Sequence, residues 1–499
     1  MTGSRNLTIA ILVGGLVYCT TTPLSAAESG SRSSPPLHLV SKLSSETWAD
    51  AFDTLHDQLS TYYALTEWKQ IDWASAYQEH QPRIAEAAAD DDPMAYFLAL
   101  REYVYEVPDA HVRLIAIDGA SEDLEEDARY EQIGGTFGFA LIELDDGRFV
   151  ARLVSEGSQA AAAGMETGAE IVEFDGTSID AALEHVSLTW AIAPAATHTT
   201  TSIQQGRYLG RAPVGVTVDV IFRNPGEVDP TTATLTAVDD SYETLLLTSL
   251  CADLPPDVYS EIIATEDGPV GYVRFAHTGD EDDDANLLMA QFAGAIQTFV
   301  NEGVFGVIID LRTNLGGLDR VAAHLPGHFY SEEAHYEYVS FLDTETGEFE
   351  VDQRYTLNTV PQTPYYGGSV VAMTGPCTVS SGEGVAMAIQ RLPRGQVVGS
   401  YGSYGSFGIS GGFVEMPEGL VVVYPPGRSL DESFRIQIDS DASLEGGVIP
   451  DLRVPLNDYT IRRRFVDGVD VELEASIDRI LNPRPPPRRP SGRRRPSGS

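Results

Sequence analysis

Thr378-Val379-Ser380-Ser381-Gly382-Glu383 lies between an apolar stretch, Ser369 to Met373, and a helical pattern that starts near Glu383. A hydroxyl placed where a strand turns into a helix stands at the helix's positive end, where charge developing on an attacked carbonyl is stabilised. Acyl transfer is the chemistry such a serine can do; capping the helix is the plain alternative for the same residues. A second apolar stretch, Gly306 to Leu311, runs into the polar, glycine-rich turn Asp310-Leu311-Arg312-Thr313-Asn314-Leu315-Gly316-Gly317. In open α/β sheets the carboxyl ends of strands line the active crevice, and glycines let backbone N–H groups approach a ligand oxygen. The turn is either an oxyanion site or a tight connection. Far upstream, Asp109-Ala110-His111 follows the end of a helical pattern at Pro108. An imidazole is the side chain suited to take a serine proton near neutral pH, although a helix-terminal histidine also serves simply to contact carbonyls. Glu383, in the first turn of its helix, reads as a capping or salt-bridging residue, and Cys377, off the turn itself, reads as a small buried residue rather than a thiol nucleophile.

The elements that must position these groups change character along the chain. Trp48, Phe52, Leu55, Leu59 and Tyr62 recur at three- and four-residue steps and predict an amphipathic helix. Asp92-Pro93 is a cap followed by a first-turn proline, and predicts a second helix with Phe97, Leu100 and Val104 on one face. From about Arg129 short strands and glycine turns take over, including Gly134-Gly135-Thr136-Phe137-Gly138-Phe139 and Ile171 to Gly176. Beyond residue 226 strands and helices alternate. Val270 to Phe275 predicts a strand, Leu288, Phe292, Ile296 and Phe299 a helix face, Gly303 its cap, and Gly306 to Leu311 a buried strand. Such βαβ repetition predicts a mostly parallel sheet covered by helices.

Residues 128 to 226 resemble a PDZ domain in the loop Thr136 to Phe139, the small-residue segment Ser158 to Gly164, and Gly168-Ala169-Glu170-Ile171 before Asp175-Gly176. The resemblance implies that Thr136, Phe137, Gly138 and Phe139 receive a peptide carboxylate on their backbone amides, the peptide adding a strand. Taken together, Asp109 to His111, this segment, Asp310 to Gly317, Thr378 to Glu383, Val397 to Gly399 and Glu445-Gly446-Gly447-Val448-Ile449-Pro450-Asp451 resemble the C-terminal processing (tail-specific) proteases and their relatives, the tricorn core protease and interphotoreceptor retinoid-binding protein. That likeness implies an α+β multidomain chain: an N-terminal helical domain at 44–127, a PDZ-like β domain at 128–226, and an α/β, crotonase-like serine protease domain at 227–482. It implies Ser380 as nucleophile. In the tail-specific branch a downstream lysine is the base, but Gly405 occupies its place, and Lys42 and Lys69 are the only lysines. In the tricorn-like branch a histidine of an Asp-x-His segment serves instead, which lands on His111, with Glu445 as the acid that orients it. The oxyanion donors implied are the N–H groups of Gly316 or Gly317 and of Ser381. The expected function is a serine endopeptidase acting on proteins or peptides without cofactor or metal; a non-catalytic binding protein on the same scaffold is the alternative.

Composition narrows the partners. The 499 residues carry a formal charge of −42, which repels phosphate backbones and anionic lipid surfaces, so nucleic acid is not an expected partner, and with no segment after the first 27 residues offering the ~20 apolar residues of a membrane helix, no stable membrane insertion is expected. Met1 to Ala27 has the pattern of a secretory signal, with Arg5 ahead of an apolar run and Ser25-Ala26-Ala27 after it, so an exported protein, periplasmic or extracellular, is expected. A lipoprotein site at Cys19 is disfavoured by the bulk of Tyr18. Residues 28–43 read as a linker, and the Pro/Arg-rich tail at 483–499 as a disordered segment. Of three cysteines, Cys251 and Cys377 remain after the signal, and their spacing does not say whether they pair.

Overall fold

The computed structural model describes residues 40–249, 251, 258–279 and 281–483. The signal, most of the linker and nearly all of the basic tail lie outside those residues. The chain opens with helices α1 (Trp48–Tyr62), α2 (Trp73–Asp90) and α3 (Pro93–Tyr105), followed by strand β1 (Arg113–Ala116) and helix α4 (Gly119–Ile133). The α3 start follows from its sequence: the Asp92 carboxylate accepts the Ala95 N–H, and Pro93 occupies the first turn, where no amide hydrogen is needed. Phe52, Leu55, Leu59, Phe97, Leu100 and Val104 are all fully buried in one core.

The next segment is an antiparallel sheet. Strands β2 (Phe139–Glu143), β3 (Phe149–Val154) and β4 (Glu170–Phe174), helix α5 (His198–Tyr208), and strands β5 (Thr217–Arg223) and β6 (Thr231–Thr236) build it in the order β6-β5-β4-β3-β2. Phe137, Phe139, Leu141, Val220 and Phe222 fill its core.

Strands β7 (Val258–Ala264) and β8 (Pro269–Phe275), helix α6 (Asp282–Glu302), strands β9 (Gly306–Asp310) and β10 (Ser369–Met373), helix α7 (Ser381–Arg391) and strand β11 (Gly395–Gly399) follow. After the hairpin β12 (Gly412–Met416) and β13 (Leu420–Tyr424) come β14 (Leu452–Arg453), α8 (Asp458–Phe465) and α9 (Val471–Leu481). The main sheet has the order β7-β8-β9-β10-β11-β14, antiparallel at β7 and parallel from β8 onward. Helices α6 and α7 pack on one face, and α9 packs on the other through Val471 and Ile480. The expected βαβ layout is therefore present: Leu288, Phe292, Ile296 and Phe299 face the sheet, and Gly303 ends α6 at φ 62°.

One boundary differs from expectation. The N-terminal helices do not close a core of their own. Strand β1 pairs antiparallel with β13, β12 pairs in parallel with Val40–Lys42, and Val414, Met416, Leu420 and Val422 complete the helical core. Residues 44–127 and the 412–424 hairpin thus share one hydrophobic core, which ties the loop carrying His111 to the sheet domain.

Candidate active site

Ser380 sits between β10 and α7 at φ 56°, ψ −131°, a backbone conformation that costs a residue with a Cβ on the order of 1–3 kcal/mol and persists when the surroundings enforce it. They do so here. The Ser380 N–H is shared between the Ser406 carbonyl at 3.0 Å and Glu383 Oε2 at 3.1 Å. Val379 N–H donates to the Asn314 carbonyl. Gly316, at φ 91°, lies directly against the side chain, where an added Cβ would come within 2.6 Å of Ser380 Cβ. Cys377, three residues earlier, is joined by a disulfide to Cys251, which answers the pairing question the spacing left open.

His111 reaches this serine across 269 positions: its Nε2 is 3.0 Å from Ser380 Oγ. The approach is built by local bonds at the loop and one long-range clasp. The His111 N–H donates to Asp109 Oδ1 at 2.9 Å, Val112 N–H donates to the Asp109 carbonyl, and the Ala110 N–H donates to Ser406 Oγ at 3.0 Å. Ser406 therefore binds the histidine loop through its hydroxyl and Ser380 through its carbonyl. Nothing in the local sequence marked it.

The acid beside the imidazole is Asp109, not Glu445. Asp109 Oδ1 lies 3.4 Å from His111 Nδ1, an ion-pair distance without hydrogen-bond alignment, and its carboxylate is fully buried. Tyr63 donates its hydroxyl to Asp109 Oδ2 at 2.9 Å. Burial pushes the Asp109 carboxyl up, but the adjoining His111 side chain, then the charge of Lys69 and the His111 backbone N–H, outweigh it and leave it below the usual range. Glu445 is exposed, and among the described residues no hydrogen bond or ion pair joins its carboxylate to His111; the backbone carbonyl of Glu445 accepts from Asp441. The Asp-x-His spacing was the signal that could have found the true neighbour, since a side chain two residues back can accept the histidine's own N–H.

Glu383 holds the Ser380 backbone from below. It is fully buried and accepts from Ser403 Oγ at 2.6 Å, Gly405 N–H at 2.8 Å, Ser406 N–H at 3.0 Å and the Ser380 N–H. Burial pushes its carboxyl up to about 8 against these four donors. Asp439, also buried, is raised by burial and by the Asp109 charge; it accepts from Phe407 N–H, and its Oδ2 has no hydrogen-bond partner. The buried Lys69 ammonium donates to Ser440 Oγ and the Ser440 carbonyl, so it faces the acids and not the serine. Gly405 could not carry a catalytic lysine in this backbone: its φ is 86°, and a Cβ there would lie 2.8 Å from the Thr197 methyl.

The oxyanion candidates divide. The Gly316 N–H is taken up by Asn314 Oδ1 at 3.0 Å, which removes it as a donor. The N–H groups of Gly317 and Ser381 donate no hydrogen bond among the described residues, while Ser381 Oγ donates to the Gly317 carbonyl at 2.8 Å and holds the two together. The turn before them is fixed by Arg312, which pairs with Asp310, Asp470 and Glu472.

The peptide-binding expectation at Thr136, Phe137, Gly138 and Phe139 is not met in this arrangement. Thr136, Phe137 and Phe139 are buried to within 3% of complete, the Phe137 N–H donates to the Gly210 carbonyl, and the Gly138 N–H donates to Thr136 Oγ1. Strand β2 is the sheet edge a peptide would extend, but α5 lies across it. Gly206 and Gly210 permit the approach: a Cβ at either would come within 2.7 Å and 2.2 Å of the Leu141 and Phe139 carbonyls.

Among the described residues one group, Glu79, His80 and Glu106, gathers possible metal-ligating atoms within 4.8 Å, and no helix is long and apolar enough to cross a membrane. His80 Nε2 is 2.7 Å from Glu106 Oε1, and Arg83 stands at its other ring nitrogen.

Residues 269–454, which hold most of the main sheet and the turns carrying Asp310 to Gly317 and Ser380, match the family described as peptidase family S41. No curated protein sequence matches the chain. Among solved structures, mature CPAF in complex with lactacystin shares the fold, with TM-score 0.60, 14% identity, and coverage of 88% of this chain and 99% of that one. The photosystem II D1 C-terminal processing protease matches with TM-score 0.41 at 16% identity over 85% of this chain and 98% of that one. The tricorn protease matches with TM-score 0.38 at 16% identity over 87% of this chain and 36% of its own.

Proposed function

We propose that this chain, whose residues 269–454 match peptidase family S41, is an exported serine endopeptidase of the serine-histidine type, with Ser380 as nucleophile, His111 as base and Asp109 as the acid that orients the imidazole. The single observation that carries the reading is the 3.0 Å contact between His111 Nε2 and Ser380 Oγ, held by a strained nucleophile turn on one side and the Asp109-Tyr63 pair on the other. With Nδ1 protonated toward Asp109, Nε2 accepts the Ser380 proton as Oγ attacks a peptide carbonyl. The N–H groups of Gly317 and Ser381 are the donors left for the oxyanion. The imidazolium then gives its proton to the departing amine, and water hydrolyses the ester and frees Ser380. Export is supported by the Cys251–Cys377 disulfide, a bond that persists in oxidising compartments. Docking of substrate tails on β2 would require α5 to withdraw, so the β domain is assigned to gating.

The test is peptide hydrolysis together with fluorophosphonate labelling. Wild type should hydrolyse casein and label at Ser380, and Ser380→Ala and His111→Ala should fall by at least about a thousandfold. A folded wild type that neither labels nor hydrolyses would transfer the assignment to a ligand-binding scaffold.

A further inference from the structure

Arg152, on β3, is 8% exposed, and among the described residues no hydrogen bond or ion pair reaches its guanidinium. The ring of Phe465 lies 5.1 Å from it, and no carboxylate compensates its charge. This is unusual in a chain of net charge −42, where Arg312 engages three carboxylates and Arg453 pairs with Asp145. The other cations nearby are already engaged. Arg464 pairs with Glu472 Oε1 at 2.9 Å, and Arg207 donates to Gln204 and to the Leu245 carbonyl. Burial and then the repulsion of Arg207 push the Arg152 guanidinium down to about 10.

A second unpartnered group lies close enough for the two charges to influence each other. The Tyr401 hydroxyl is buried without a hydrogen-bond partner. Tyr401 and Phe465 pack on the same apolar cluster as Val150, which shares the β3 face of Arg152 two residues on. Tyr401 lines a cavity of about 470 Å³ together with His198, Ser202 and Arg453, and Arg152 is not part of that lining. The two acids at that cavity are engaged, Glu143 by Ser202 and Asp145 by Arg453.

We propose that this junction of the β domain, the sheet domain and α8 is an oxyanion site, where a carboxylate or phosphate accepts hydrogen bonds from the Arg152 guanidinium and the Tyr401 hydroxyl. A guanidinium's planar fork matches either group, and a buried cation without a counter-charge is otherwise costly. The site has a route to the nucleophile. Tyr401 belongs to the Ser400–Gly412 loop, whose Ser403, Gly405 and Ser406 hold Glu383 under Ser380. An occupant therefore steadies that loop.

The full chain is titrated with sodium phosphate and, separately, with sodium succinate, against sodium chloride at equal ionic strength, and thermal unfolding is followed. Wild type should show a saturable rise in Tm of about 2 °C or more with at least one oxyanion. Arg152→Leu should lose that rise and, in chloride, melt above wild type, because an uncompensated buried charge is gone. Tyr401→Phe, which keeps the packing, should halve the response or more and decides the matter if Arg152→Leu does not fold. A response to phosphate alone assigns the site to phosphate, and a response to both assigns it to either oxyanion. Equal shifts in wild type and variants, a general salt effect only, would overturn the proposal, as would no shift with either anion. The readout is unfolding, so the outcome is independent of whether Ser380 is a nucleophile.

Discussion

Replacing Asp109 by Asn removes a single negative charge from beside the imidazole while keeping nearly the same shape. At 3.4 Å and an effective dielectric of about 20, that charge stabilises an imidazolium by about 5 kcal/mol. At 1.36 kcal/mol per tenfold, the ceiling on the loss in kcat is about 3.5 decades; with His111 partly open to water, a loss of about 10² to 10³ is expected. The amide keeps one oxygen for the Tyr63 hydroxyl or the His111 N–H but not both, so about 1–3 kcal/mol of stability should also disappear. The assay is steady-state peptide hydrolysis at neutral pH, with Tm measured alongside and fluorophosphonate labelling giving the fraction of competent serine. KM should change little, since the lost interaction acts on the charged imidazole of the transition state. Glu445→Gln, on the exposed loop, should stay within about threefold of wild type. An Asp109→Asn enzyme within tenfold of wild type, or a Glu445→Gln enzyme that loses two decades, would refute the reasoning.

Three further outcomes follow from the same geometry. Glu383 has a folded-state pKa of about 8 against an ordinary 4.5, so the native state holds a proton the unfolded chain releases. Its contribution is fully present below about 4.5 and declines as pH rises to about 8, a loss on the order of a few kcal/mol. Glu383→Gln should flatten the fall in denaturation midpoint over that window, and a wild-type-minus-variant difference that does not change with pH would contradict it. Reduction of Cys251–Cys377, or Cys251→Ser, opens a loop of 126 residues and should lower stability by about 5 kcal/mol by chain entropy, read from the urea midpoint. Gly316→Ala puts a methyl 2.6 Å from Ser380 Cβ at a φ of 91°, so fluorophosphonate labelling should slow by more than about a hundredfold; labelling at the wild-type rate would show that the turn yields without moving the serine.

The sequence by itself determined the local pieces. Asp92-Pro93 starts α3 because a cap and a first-turn proline need no partner beyond their own helix, and the 3.6-residue spacing in α6 is enough to fix which side meets the sheet. The Thr378–Glu383 turn between strand and helix and the loop after α3 were legible for the same reason, as short stretches whose residue types carry their own geometry. Tertiary structure decided everything that depends on which groups meet. Asp109 displaced Glu445 because the helical core closes over it and leaves Glu445 in solvent. The Gly316 N–H went to an asparagine two residues away, and α5 and the turn after it covered the β2 edge through Gly206 and Gly210, whose absent side chains mean nothing until a carbonyl lies beneath them. Ser406, which clasps the loops of His111 and Ser380, and Arg152, which no acid answers, are ordinary residues in one dimension. Hydrogen bonds and ion pairs are effective over a few ångströms, whereas residues hundreds of positions apart are brought to that range by the packing of whole elements, and periodicity along the chain records which face is buried without recording what it is buried against.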